Sequence, residues 1–170
     1  MPVVVGQVHG LSQRGGSVQA SVALGGARSW EIPAGMADAL VATEPMEAAR
    51  AIGAVSKRTI ALVNTRPLLP GSFQSLGRPY PPLSSLLGWI RESVGSMVAV
   101  DATELAGEAG SPRCLNVVML GMLAGSDLLP FPAEGLLDVI LEAGIRDFAE
   151  INRHAFRLGE EAAGKRVSAT

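Results

Sequence analysis

Cysteine is almost absent from this chain of 170 residues, where Cys114 is the only one. A lone thiol closes no internal disulfide, holds no iron–sulfur cluster and completes no structural zinc site, so metal chemistry of that kind belongs to another chain. Aromatic residues make up 4% against 48% hydrophobic, which leaves Val, Leu, Ala, Ile and Met to build the core, with the 20 glycines allowing close backbone approach. The two histidines, His9 and His154, sit at no spacing that suggests a shared metal site. Long apolar runs are missing as well. Val117 to Leu129 is interrupted by Gly121, Gly125, Ser126 and Asp127 and closed by Pro130, well short of the roughly 20 apolar residues a membrane span requires. No basic region precedes the short apolar run of Met1 to Gln7, so the expectation is a cytoplasmic protein without a secretion signal or a membrane partner. Neither G-x-G-x-x-G after a first strand nor a P-loop occurs, and no spacing singles out a Ser–His–Asp triad.

A chain of this length suits one compact domain, expected over residues 1–163, with 164–170 as a flexible tail. The net charge of -2 is unevenly placed. Residues 1–91 carry eight Arg/Lys against four Asp/Glu, and residues 92–170 carry six against twelve, so the first half is the one suited to meet an anion. The basic residues are scattered and not interleaved with aromatics, which excludes a nucleic-acid footprint.

The apolar β-branched run from Val3 to Val8 predicts a buried strand. Val18 to Leu24 alternates strictly, and Gly25-Gly26 followed by Ser29 to Ile32 predicts a hairpin. Further strands are expected at 37–43, 59–63 and 97–100. Helices are expected at 44–50, 83–94, 103–108, 113–123, 133–142 and 146–161. Strands that alternate with helices and are apolar on both faces indicate an α/β, Rossmann-like three-layer domain. Its sheet would be mostly parallel but mixed, with one early hairpin and a C-terminal helical segment.

Ligands of parallel sheets collect beyond the carboxyl ends of the strands. Those ends are His9-Gly10 with the following Gln13-Arg14-Gly15-Gly16, then Thr43-Glu44, Asn64-Thr65 and Asp101. Arg14 offers a planar donor fork for phosphate or carboxylate, and Gly15-Gly16 lets backbone N–H groups turn toward it. Arg66 could add to that charge. The competing reading is a simple bend with Arg14 paired to a local acid. The segment from Pro67 to Pro82 is long for a connection, which points to a function. Cys114 opens a helix, but the apolar run after it points to an inert, buried thiol.

Seven motifs in order resemble the small subunit of indolepyruvate:ferredoxin oxidoreductase, equivalent to the gamma subunit or domain of pyruvate and 2-oxoisovalerate oxidoreductases. They are Val8-His9-Gly10-Leu11-Ser12-Gln13-Arg14-Gly15-Gly16-Ser17-Val18, Pro33 to Asp38, Glu44 to Arg50, Val63-Asn64-Thr65, Val100 to Ala106, Pro112 to Gly121 and Ile151 to Phe156. The resemblance implies a subunit of a complex that oxidatively decarboxylates a 2-oxoacid to an acyl-CoA and passes electrons to ferredoxin. Thiamine diphosphate and iron–sulfur clusters would lie on larger partner subunits, with coenzyme A as co-substrate. It places Gln13, Arg14, Gly15, Gly16, Ser17, Asn64 and Thr65 at a substrate-, CoA- or subunit-facing edge, none of them as a proton-transfer catalyst. The alternative is a stand-alone binding or assembly module on the same scaffold, without catalytic activity.

Two departures accompany the resemblance. The family's glycine-rich first strand, loop and helix would precede residue 1, a difference of about thirty residues that bears on independent folding and coenzyme binding. Gln7 stands where relatives often have Glu, and Ser111 where they often have Asn. The first change removes a charge near the expected ligand edge.

Overall fold

The computed structural model describes residues 1–9, 18–68, 79–144 and 146–167, without the side chains of residues 9, 146 and 165–167. Three strands form a parallel sheet in the order β3-β4-β5: β3 Ala39–Ala42, β4 Ile60–Asn64 and β5 Ser96–Val100. Ala39 pairs with Ile60, and Ile60 in turn with Ser96, so the three carboxyl ends lie together. The central strand alternates between two cores. Leu62 joins Val98, Ala102, Val118, Met122 and Ala155 on one face, while Ala61 and Val63 join Ala42, Ala48, Ile90 and Val94 on the other. A strand buried on both faces has to be apolar at every position, as β4 is until Asn64.

Helices α1 (Pro45–Arg50) and α2 (Leu83–Ser93) cover the second face. Helices α3 (Ala102–Glu108), α4 (Leu115–Ala124) and α6 (Ala149–Val167) cover the first, and α5 (Ala133–Ala143) packs beside α4 and α6. Local chemistry sets the helix starts. Glu44 caps α1 with Pro45 in its first turn, and Asp101 caps α3 by accepting the Glu104 N–H at 2.9 Å. Ser111 accepts the Arg113 N–H at 3.3 Å and caps the 3-10 turn Pro112–Cys114, a task open to Asn as well.

The α/β class, the parallel sheet with helices on both faces, the early hairpin and the C-terminal helices all stand as expected. Two details differ. The hairpin does not join the parallel sheet: β1 (Val3–His9) and β2 (Val18–Leu24) form their own two-stranded sheet, from Val3 opposite Leu24 to His9 opposite Val18. The partner of β2 is thus β1, not residues 29–32. Gly25 and Gly26 do turn the chain, at φ 86° and 96°. The turn, however, brings Trp30 back onto Gly6, where an added Cβ would fall 2.1 Å from the indole. In addition, β1 is not buried. Val3, Val5, Val18 and Val22, all on the hairpin face opposite Gly6 and Trp30, are 53–60% exposed. Helix α6 continues past residue 163, and 168–170 lie outside the described residues.

Candidate functional site

Asn64 ends β4 with its side chain pointing into the protein, fully buried. Its Nδ2 donates to the Thr43 carbonyl at 2.9 Å and to Thr103 Oγ1 at 3.1 Å. Its Oδ1 accepts the Ala102 N–H at 3.0 Å and the Arg66 N–H at 3.3 Å. A primary amide has two donors and two acceptor sites, so its capacity is used in full. The four bonds join the end of β3, the start of α3 and the chain leaving β4. Thr65, half-buried, donates its N–H to the Val100 carbonyl at 2.8 Å and extends the ladder by one residue.

Next along the edge, Arg66 forks onto Asp101. Nη2 lies 2.7 Å from Oδ2, and Nε lies 3.1 and 3.2 Å from the two carboxylate oxygens. The guanidinium hydrogen bond, aided by the Glu104 N–H, holds the Asp101 carboxyl below its ordinary range. Asp101 in turn raises the Arg66 guanidinium above its own. An arriving anion therefore meets an arginine that already faces a carboxylate.

At the third strand end, Glu44 is 5% exposed, a depth at which a carboxylate needs donors for both oxygens. The Glu47 N–H supplies one at 2.9 Å and the Tyr80 phenol supplies the other. Burial, followed by the hydrogen bond to Glu44, pushes the Tyr80 phenol well above its ordinary value. The edge is thus a row of polar groups satisfied by one another, fixed in place before any ligand arrives. A separate open cleft of about 610 Å³ lies beside β2, lined by residues that include Gln19, Trp30 and Glu31.

The pyruvate ferredoxin/flavodoxin oxidoreductase family profile matches residues 1–162. The chain belongs to that family. Among its relatives, the indolepyruvate oxidoreductase subunit IorB of Archaeoglobus fulgidus is 37% identical over 157 residues, which are 92% of this chain and 78% of that protein. The subunit of the same name from Methanothermobacter thermautotrophicus is 35% identical over 163 residues, 96% of this chain and 83% of that one. In fold, the chain is similar to the keto/oxoacid ferredoxin oxidoreductase gamma subunit of Geobacter sulfurreducens PCA, with a TM-score of 0.62 at 20% identity over 95% of this chain and 79% of that one.

Within this oxidoreductase-family chain, Gln13, Arg14, Gly15, Gly16 and Ser17 lie outside the described residues, as does most of the segment between Pro67 and Pro82. Asn64 and Thr65 do lie at the carboxyl edge, but the Asn64 amide turns inward and binds protein on all four sides. Cys114 is 6% exposed at the start of α4, 3.3 Å from Asn152 Oδ1, and burial raises its thiol pKa. The burial expected from the sequence is observed, and a lone cysteine does not supply the ligand set of a cluster. Among the described residues no three His, Cys, Asp or Glu side chains converge as a metal set, and no helix is long and apolar enough to cross a membrane. His154 is exposed on α6. Sequence reasoning missed Tyr80 and Thr103. The available signal for Tyr80 was that the only tyrosine of the chain stands just before the Pro-Pro entry into a helix.

Proposed function

We infer that this chain is the subunit without cofactors of a 2-oxoacid:ferredoxin oxidoreductase of the indolepyruvate type. Such a complex oxidatively decarboxylates an aryl pyruvate or related 2-oxoacid to its acyl-CoA in the cytoplasm. Thiamine diphosphate and iron–sulfur clusters sit on larger partner subunits, coenzyme A is the co-substrate and ferredoxin takes the electrons. The observation that carries this reading is identity of 35–37% to proteins named as indolepyruvate oxidoreductase subunits, along more than nine-tenths of the chain.

Two features of the molecule support it. The chain has one cysteine and that one is buried, so clusters need other chains. The aliphatic hairpin face is the kind of contiguous apolar surface that soluble proteins cover in an assembly. The carboxyl edge, with the 13–17 segment, is the part that faces substrate, coenzyme A or the partner. The chain then shapes and closes a reaction space without moving protons in it.

Co-expression with a large thiamine- and cluster-containing subunit tests the reading. The expected result is co-purification and CoA-dependent reduction of an electron acceptor with indolepyruvate or another 2-oxoacid. An assembled complex that turns over no 2-oxoacid overturns it. A stable oligomer of this chain alone, with no affinity for coenzyme A by calorimetry, favours the stand-alone module instead.

A further inference from the structure

Helices α1 and α2 both start at the carboxyl edge, on the same face of the sheet, and one side chain links their starts. Tyr80 lies two residues before Pro82, the cap of α2. Its phenol donates to Glu44 Oε1, while Glu44 Oε2 accepts the Glu47 N–H and thereby caps α1. Glu44 is among the few buried polar residues described, and a buried carboxylate with only one donor would be driven to turn outward toward water. The bond from Tyr80 removes that drive and keeps the carboxylate turned toward the helix.

On the opposite face, the Asn64 amide and the Arg66–Asp101 fork fix α3 in a comparable way. The two arrangements meet at Thr43. Its carbonyl accepts from Asn64, and the next residue is Glu44.

We propose that Tyr80 is a positioning residue of the carboxyl edge: by holding the Glu44 carboxylate in its capping orientation it sets where the start of α1 stands against the ends of β3 and β4. The proposal rests on the reading that this edge faces substrate or the partner subunit. Tyr80 is assigned no step of the chemistry. Its effect is to keep α1, α2 and the strand ends as one rigid surface, so that binding does not have to order them.

Because Tyr80 is the only tyrosine, tyrosine labelled with carbon-13 at Cζ gives one signal that reports its hydrogen bond directly. In the full chain, Glu44→Ala shifts that signal and Arg66→Ala leaves it in place. A signal indifferent to Glu44→Ala overturns the proposal. Tyr80→Phe, which deletes only the hydroxyl, is expected to speed amide exchange at Glu47 at least threefold without a comparable change in the α4–α6 pair, and unchanged exchange also overturns it.

In the complex assembled with its large subunit, Tyr80→Phe is expected to raise KM for the 2-oxoacid or Kd for the partner about 3- to 10-fold, with kcat nearly unchanged. Wild-type values of KM and Kd would overturn the positioning role. If the wild-type chain itself neither assembles nor supports turnover, the proposed function falls, while the labelled-tyrosine and exchange measurements still decide whether Tyr80 holds the start of α1.

Discussion

Gly159 of α6 lies so close to α4 that a Cβ placed on it would be 2.1 Å from the Val118 carbonyl oxygen and 3.0 Å from the Cα of Gly121. The approach is mutual, since a Cβ on Gly121 would be 2.1 Å from the Phe156 carbonyl oxygen. Backbone touches backbone here, and a backbone atom inside a helix cannot swing aside as the end of a side chain can. Gly159→Ala and Gly121→Ala should each destabilise by about 2–3 kcal/mol even after the gain in helix propensity. In a domain of this size that lowers the melting temperature by roughly 4–12 °C. Gly88→Ala in α2, where an added Cβ meets nothing within 4 Å, should stabilise by about 0.5–1 kcal/mol. Equal behaviour of the three variants in thermal melts would refute this account of the α4–α6 contact.

Asn64→Ala should be among the most damaging single changes at the sheet edge. It strips the Thr43 carbonyl, the Thr103 hydroxyl and the Ala102 N–H of their common partner; Ala102 is fully buried, while Thr43 and Thr103 are half-buried. A buried group left unmet costs about 1–3 kcal/mol, in full for the Ala102 N–H and in part for the two half-buried threonine groups that water can reach, so a total of about 2–4 kcal/mol is expected. Urea unfolding followed by tryptophan fluorescence measures it. A loss under 1 kcal/mol would mean that the amide is dispensable and free for another role.

Elements whose signal is local were legible in the sequence. The apolar run that ends at Asn64 reads as a buried strand, and Glu44-Pro45 reads as a helix start, because propensity and capping act within a few residues. Pairing is another matter. The alternation of Val18 to Leu24 tells which residues share a face, but not which strand lies across from them, so residues 29–32 fitted as well as β1. Nor does a β-branched run carry any mark of what covers it, which is why β1 read as buried. The position of Asn64 at a strand end was visible, while its inward turn was not, since its partners Thr43 and Thr103 lie 21 and 39 residues away. The Glu44–Tyr80 pair spans 36 residues and escaped for the same reason.

Arg14 carries the anion reading of the first half of the chain, because Arg66 already faces Asp101. If Arg14 meets a phosphate or carboxylate, Arg14→Ala should weaken coenzyme A or partner association by about 1–3 kcal/mol, roughly 5- to 150-fold. Arg66→Ala should change it much less. Titration calorimetry on the assembled complex separates the two, and an unchanged dissociation constant for Arg14→Ala rejects the role.

The Cys114 thiol is buried and its pKa is raised, so the reactive thiolate is scarce and shielded. At pH 8 a thiol reagent should label the native chain at the rate of its opening, and the unfolded chain at once. Because there is one cysteine, the labelling rate reports how often the α4–α6 core opens. It should rise in Gly121→Ala in step with the lost stability, and rapid labelling of the native protein would contradict the burial.

Stability should fall at both ends of the pH scale for reasons that two variants isolate. The Asp101 carboxyl is held below its unfolded value by Arg66, so its contribution is complete above about pH 4 and is lost as pH drops through the lowered value. The Tyr80 phenol is held above its unfolded value, so its contribution is complete below about pH 10 and is lost as pH climbs. Asp101→Asn should therefore flatten the acid limb and leave the alkaline one, and Tyr80→Phe should do the reverse. Arg66→Ala should flatten the acid limb in part, since Asp101 keeps the Glu104 N–H but loses the guanidinium. The check is the urea midpoint of the four proteins between pH 2.5 and 11. Parallel acid limbs for wild type and Asp101→Asn would show that the Arg66–Asp101 fork is held too loosely in solution to move the carboxyl's pKa.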